Sequence, residues 1–398
     1  MDDFWIPRSA NEVESAIGSG AVTESHYLDF KAFAESGRVP STAAKCVASL
    51  AVDGGVLVLG VEEDKRARRF APKPVALKGL RDAVDQSLAN RVAPSLRATI
   101  NELDCGDGTG YLAVVVPASA RAPHMVDGRY YGRTDTGVTQ LPDVDVRRLW
   151  QRHLDRQQQR SLLLADEVRR EPVPEPLRSV GRLFVVAQPV SADPRLLLDA
   201  CANRDLFSWI LSAQALRSFQ QVRNYGPHFG TAADPHRRAR GVARSSWHFG
   251  SDRELTDEAS SPHKALDLEI WEDGGLRLYY GRASEVAREE RYLMLEAIVG
   301  EVSGVIQLAR DVSEVAQFRG SWQFGVALRG IKSMRAYLPE GVSSGSNYSE
   351  DAYDETSEVD QSELCSSESP VLSELLGRLV RTVAPKVDIR TLDVFPIQ

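Results

Sequence analysis

Little in this chain ties it to a membrane, to an oxidising compartment or to the commonest enzyme signatures. Its four cysteines, Cys46, Cys105, Cys201 and Cys365, lie far apart and form no Cys-x-x-Cys pair, so neither a disulfide framework nor a zinc knuckle is encoded. No apolar run reaches the roughly eighteen residues that a membrane-spanning helix needs. The first residues, Met1-Asp2-Asp3-Phe4, are acidic, with no basic stretch ahead of an apolar one. That argues against a signal peptide, and the expected location is cytoplasmic. No Lys follows glycine in the Walker pattern and no His-Glu-x-x-His occurs. The seven histidines are scattered, and His228, His236 and His248, which share a loop-rich region, read as solvated. Gly341-Val342-Ser343-Ser344-Gly345 spells a nucleophile elbow, yet it opens a serine tract where the elbow requires a strand running into a helix. Gly106, Gly108 and Gly110 precede no helix, so they read as a hairpin loop and not as a phosphate cradle.

What remains is a soluble composition, 42% hydrophobic and 26% charged over 398 residues. That length suggests two domains with cores of their own. The net charge of −8 is unevenly placed. Residues 340–369 hold nine Asp/Glu and no Lys/Arg, so the rest of the chain carries +1. Residues 65–97 hold nine Lys/Arg against two Asp/Glu, and a stretch of that sign suits a polyanion or a solvated face.

The first 142 residues read as a mixed sheet with flanking helices. Ser9 caps a short helix that ends at Gly18. Tyr27 to Lys31 alternates as a strand, with Leu28 and Phe30 on one face and Asp29 and Lys31 on the other. A helix over 40–51 leads through the turn Asp53-Gly54-Gly55 into Val56–Val61, a continuous apolar run typical of a central strand. A helix near 77–92, strands at 97–103 and 111–117, and a hairpin at Asp127-Gly128 complete this region. Residues 143–176 read as one charged helix and a Pro-rich linker, and a second α/β domain is expected over 177–398. It should contain a strand at 182–188, helices over 194–221, a hairpin of 265–272 with 276–282, a helix at 286–316 and a strand at 321–329. The acidic, serine-rich stretch 340–369 is expected to be a disordered inserted loop, followed by a helix over 371–383. The fold class is mixed α+β.

The residues that suggest chemistry are acidic. Glu24 and Asp29 flank the start of the first strand, and Glu62-Glu63-Asp64 emerge where the buried run ends. Carboxylates on adjacent strand ends can share a hard divalent cation, and such an ion activates water and stabilises a developing phosphoryl charge. Lys31, on the face of Asp29, is placed to touch a scissile phosphate. Acids at strand ends are also commonly just solvated.

Taken together, residues 12–150 resemble the Schlafen AlbA-type domain of bacterial proteins and of the vertebrate Schlafen nuclease core. The resemblance is carried by Glu24 with Leu28-Asp29-Phe30-Lys31, by the helix leading to Gly54-Gly55, by Val56 to Asp64, and by Tyr130-Tyr131-Gly132-Arg133. In the nuclease members three carboxylates bind Mg2+ or Mn2+ and cut structured RNA, notably tRNA. The resemblance assigns these ligands to Glu24, Asp29 and Glu62, with Glu63 as the adjacent candidate and Lys31 as a charge-stabilising catalytic residue. Asp at 29 and Glu at 62 exchange the family's chain lengths, each displacing a carboxylate by about one methylene. Asp53 stands near the family's Asn-x-x-Gly-Gly turn without reproducing it, and ligands for the vertebrate structural zinc are missing. Lys65, Arg66, Arg68 and Arg69 follow the third acid and are candidate phosphate contacts, joined by Arg133, where the family also places an arginine.

The function implied is a metal-dependent endoribonuclease acting on tRNA or similar structured RNA, plausible in anti-phage defence. The alternative is a non-catalytic DNA- or RNA-binding regulator, and a nucleotide- or ATP-binding module ranks third. The vertebrate core joins two such lobes, whereas residues 177–398 show no second acidic pattern. A homodimer is therefore expected to complete a nucleic-acid channel.

Overall fold

Two continuous apolar stretches, 55–59 and 183–187, organise the two halves of the chain. A computed structural model describes residues 5–32, 39–64, 69–96, 98–119, 121–134, 137–190, 192–200, 209, 236–246, 249, 253, 255, 262–287, 289–338, 341–366 and 369–392. The chain divides into two units, Met1–Arg156 and Gln157–Gln398.

In the first unit, helix α1 (Ala10–Gly18) starts at Ser9, whose hydroxyl accepts the Glu12 amide as an N-cap. Strand β1 (Leu28–Lys31) pairs in parallel with β2 (Gly55–Leu59), and the connection between them contains α2 (Val39–Leu50). Next come the antiparallel hairpin of β3 (Val61–Asp64) with β4 (Arg69–Pro72), the short β5 (Val75–Ala76) and α3 (Leu80–Arg91). After β6 (Val92–Ala93), the strands β7 (Thr99–Asp104) and β8 (Thr109–Val116) form a hairpin, and β2 lies antiparallel along β8. A second small sheet orders β11 (Val138–Gln140), β10 (Arg129–Arg133), β9 (Met125–Val126) and β6.

The central strand is apolar throughout because both of its faces are covered. Val56 and Val58 join Leu28, Phe30 and α1 residues Val13 and Ile17 in one cluster. Leu57 and Leu59 join α2 and α3 residues such as Val47, Leu50, Val84 and Leu88 in another. Each such side chain contributes roughly 1.5–3 kcal/mol of transfer free energy. Gly55 is required where β2 begins. A Cβ there would lie 2.4 Å from the Tyr27 carbonyl oxygen, and its φ of +151° disfavours other residues. The run expected as one strand over 56–61 is in fact broken. The ladder with β1 ends at Leu59, Gly60 turns with φ +104°, and Val61 opens the β3–β4 hairpin. The Glu62–Asp64 segment thereby leaves the central sheet.

The charged helix expected after residue 142 is α4 (Asp143–Arg169), and the division between the units falls within it. The second unit is built on a seven-stranded antiparallel sheet. Its strands are β12 (Arg182–Pro189), β13 (His236–Arg238), β14 (Gly241–Ser245), β15 (Leu266–Trp271), β16 (Leu276–Tyr280) and, after the β17 (Ser284–Ala287) and β18 (Glu290–Met294) hairpin, β19 (Trp322–Arg329). After β20 (Arg335–Leu338) and β21 (Gly341–Val342), the edge strand β22 (Ala352–Val359) completes the order 13-14-15-16-12-19-22. Leu183, Val185 and Ala187 face the cluster that includes helices Leu295–Val315 and Val371–Val383. Phe184 and Val186 face the opposite cluster, with Leu164 of α4 and Val173.

Three expectations are corrected here. Of the stretch 340–369, expected to be a disordered loop, the described residues 341–366 supply β21, β22 and the turn of helix Gln361–Leu364. Tyr353 and Val359 are buried, while Asp354 pairs with Arg329 at 2.8 Å, Glu355 with Arg378 at 2.5 Å and Glu358 with Arg160. Three of its nine acids are thus paired with arginines distant in sequence. The helix expected at 286–316 begins only at Leu295, because 284–294 forms a hairpin turning at Glu289 with φ +68°. Val173 is fully buried within the stretch read as a linker. Of the helices expected over 194–221, Leu196–Ala200 is described, and the remainder lies outside the described residues apart from Trp209. The elbow-like Gly341–Gly345 begins as β21 against β20, with no strand-to-helix turn. Gly106–Gly110 joins β7 to β8 as expected. Among the described residues no helix is long and apolar enough to cross a membrane.

Candidate functional site

Strand β1 separates its side chains by the two-residue alternation of a pleated strand. Leu28 and Phe30 enter the apolar cluster beside α1, so Asp29 and Lys31 point the other way, and Asp29 reaches the buried Cys46 of α2. Asp29 is completely buried. Its two oxygens are both engaged: Oδ1 accepts from Lys31 Nζ at 2.5 Å, and Oδ2 accepts from Arg133 Nη1 at 2.9 Å. Arg133 comes from β10, and its Nη2 also donates to the Ser25 carbonyl at 2.9 Å and the Leu28 carbonyl at 3.4 Å. Lys31 Nζ donates further to the Phe30 carbonyl at 3.0 Å and to Glu24 Oε1 at 3.4 Å. An ammonium has three protons to give, and these three acceptors match them.

The electrostatics follow from this wiring. Burial alone would raise the Asp29 pKa, but the Lys31 ammonium and the Arg133 guanidinium outweigh it and hold the carboxyl below the usual range. Burial would likewise lower Lys31, yet its bond to Asp29 wins and its pKa is raised. Glu24 moves the opposite way: burial raises it, and Lys31 and the Phe30 amide, which Oε1 accepts at 3.1 Å, only partly oppose the shift. The Cys46 thiol is pushed far up, first by burial and then by the Asp29 charge, which makes it an unreactive thiol.

The structure therefore brings Glu24, Asp29, Lys31 and Arg133 together and leaves the third expected acid elsewhere. Glu62 and Glu63 lie exposed on β3, and Glu62 Oε1 accepts from Lys73 Nζ at 2.9 Å. Among the described residues, no group of three His, Cys, Asp or Glu side chains is placed to hold a metal ion. The donor set does not fit a divalent cation, since two carboxylates are already balanced by two cations and Asp29 has no oxygen open to solvent. Arg133 is corrected as a phosphate contact: its side chain is 1% exposed and committed to Asp29. Lys31, expected as a charge-stabilising residue, is partly exposed and has its three protons on Asp29, Glu24 and the Phe30 carbonyl. Arg69 is exposed on β4, opposite Asp64, whereas Lys65, Arg66 and Arg68 lie outside the described residues. One interaction escaped the sequence reading. Asp53, in the turn before Gly54-Gly55, accepts from His26 Nε2 at 3.0 Å and faces Arg152 Nη2 at 3.8 Å. The Asp-Gly-Gly turn signalled a tight bend and not a carboxylate partner.

Residues 24–142 match the model of the Schlafen, AlbA_2 domain. A comparison with curated proteins found no match. Among solved structures, the chain is similar to the N-terminal domain of a RecG-related protein of Nitrosomonas europaea, at 23% identity over 34% of this chain and 94% of that one, with a TM-score of 0.26. It is also similar to the DIP2311 protein of Corynebacterium diphtheriae, at 19% identity over 34% of this chain and 26% of that one, with a TM-score of 0.23. Scores this low support no functional argument.

Proposed function

We propose that the AlbA_2 domain is a nucleic-acid-binding module in which Glu24, Asp29, Lys31 and Arg133 are a structural ion cluster and not a hydrolytic centre. The observation that carries this reading is the closure of Asp29, fully buried with one oxygen on Lys31 and the other on Arg133. The cluster joins β1 to β10 and so ties the central sheet to the smaller one. Contact with phosphates falls to the basic run Lys65, Arg66, Arg68 and Arg69, of which Arg69 opens β4 and the others precede it in the sequence. Phosphate contacts of this kind position a nucleic acid without reading its sequence. The homodimer expected from the family remains part of the proposal, because one lobe presents one such basic run.

A gel-shift titration tests the reading. Total tRNA and a DNA duplex of similar length are bound by the wild-type protein and by a variant with Lys65, Arg66, Arg68 and Arg69 all changed to Ala. Binding should weaken in the variant, and the slope of log K against log salt should fall by about one per lost contact. Equal binding by both proteins would refute the assigned surface.

A second reading, the metal-dependent endoribonuclease, is favoured by one observation: Glu24 and Asp29 converge on the same ammonium, with Glu24 and Lys31 partly exposed to solvent. That convergence brings together two of the three expected acids, and cleavage assays separate the two readings.

A further inference from the structure

The second unit contains a cavity of about 610 Å³ that is unrelated to the Asp29 cluster. It lies where the C-terminal end of α4 meets the β13–β14 turn and strands β15 and β16. Its volume falls in the range of roughly 300–1,000 Å³ that small-molecule sites occupy. Six arginines and three carboxylates line it.

Most of these charges are spent on each other. Glu269 accepts from Arg170 at 2.8 Å, from Arg238 at 2.6 Å and from the Trp271 indole at 3.1 Å. Asp267 pairs with Arg238 and Arg253, each at 2.7 Å, and Glu167 pairs with Arg170 at 3.1 Å and Arg253 at 2.5 Å. Three acids thus balance Arg170, Arg238 and Arg253, and Asp166 balances Arg169. Two guanidiniums have no carboxylate within ion-pair distance among the described residues. Arg277, 2% exposed, donates to the carbonyls of Ala187 and Leu276 and to Gln188. Arg240 lies exposed on the β13–β14 turn. Both stand over the Trp271 ring, at 4.1 and 4.9 Å from its centroid.

A buried guanidinium without an anion is costly. Burial, with the like charge of Arg170, pulls the Arg277 pKa down to about 10 against the attraction of Glu167 and Asp273. Arg253 adds an independent sign. It is 6% exposed, its backbone is held at φ +69°, and its buried Nη1 has no hydrogen-bond partner among the described residues. Strain and an unspent buried donor on the wall of one cavity are features that functional sites retain.

We propose that this cavity binds a small molecule ending in a phosphomonoester, with the phosphate held by Arg240 and Arg277 over Trp271, on a wall that Arg253 also lines. The two surplus positive charges match the roughly −1.5 to −2 that a phosphomonoester carries at neutral pH. The fork of a guanidinium suits its oxygens. The cavity greatly exceeds a bare phosphate, so the ligand carries an organic part. This site does not depend on what the AlbA_2 domain binds.

The test is calorimetric titration of the full chain with adenosine 5′-monophosphate, ribose 5-phosphate, inorganic phosphate, adenosine and succinate. At least one phosphomonoester should bind saturably, with inorganic phosphate competing and with adenosine and succinate inert. If only the nucleotide binds, the organic part is a nucleoside; if ribose 5-phosphate also binds, the sugar phosphate suffices. Arg240→Ala, on an exposed turn, should weaken binding at least about tenfold, the loss of one charge-assisted contact, with unchanged circular dichroism. The proposal is overturned if neither phosphomonoester binds at millimolar concentration, if succinate binds equally well, or if Arg240→Ala leaves the affinity unchanged.

Discussion

Replacing Arg133 by Met removes the one contact on which the reading of the N-terminal unit depends most. The side chain is 1% exposed, so methionine keeps much of the volume while deleting the charge. Breaking a buried ion pair by removing one partner costs about 3–5 kcal/mol. Asp29 retains Lys31 on its other oxygen, which places the loss near the lower end, about 3 kcal/mol, including the donor withdrawn from the Ser25 carbonyl. A unit of the size of Met1–Arg156 loses about 2–4 °C of Tm per kcal/mol, so its transition should fall by roughly 6–12 °C. The pH dependence has a definite sign. Asp29 has a depressed folded-state pKa, so its stabilisation is complete above the unfolded value of about 3.9 and is lost as pH falls through the lower folded value. The gap between wild type and variant should therefore be full at pH 7 and narrow below about pH 4. Differential scanning calorimetry of the full chain at both pH values measures it. A Tm within about 2 °C of wild type at pH 7, or a gap that does not narrow in acid, would refute the structural role.

Two further outcomes follow from the same unit. Glu24→Gln keeps an acceptor for the Phe30 amide and removes a carboxylate whose pKa burial raises. A raised carboxyl contributes stability below its unfolded pKa that is lost as pH rises through the folded one, so the variant should gain Tm relative to wild type at pH 7 and not at pH 4. Thermal melts at both pH values check this, and a loss at pH 7 would count against it. Gly55→Ala forces a Cβ to 2.4 Å from the Tyr27 carbonyl at φ +151°. It should cost more than about 1 kcal/mol, read as a lower urea midpoint, and an unchanged midpoint would contradict the close approach of β1 to β2.

Much of the fold was legible from local pattern. The Ser9 cap, the doubly buried run of β2 and the hairpin of β15 with β16 are each specified by residues within a few positions of one another. The Schlafen AlbA-type resemblance was legible from several short motifs in order along the chain, and the family model agrees over residues 24–142. What sequence concealed depends on distant partners. The acidic stretch looked unable to order because its arginines, Arg160, Arg329 and Arg378, lie elsewhere in the chain. Glu62 looked like the end of a central strand because Gly60 gave no sign that the ladder stops at Leu59. Arg133 looked available until β10 set it 2.9 Å from Asp29. Charge identity is visible in a sequence, but charge pairing across a sheet is not.

The central claim is that the Asp29 cluster holds the domain together and does not hydrolyse nucleic acid. It is tested most directly by incubating the purified protein and its Glu24→Ala variant with total tRNA and with duplex DNA, in Mn2+ or in EDTA. The account predicts bound but intact nucleic acid under every condition, the same for both proteins. Discrete fragments that require Mn2+ and vanish in Glu24→Ala would contradict it and establish the nuclease in its place.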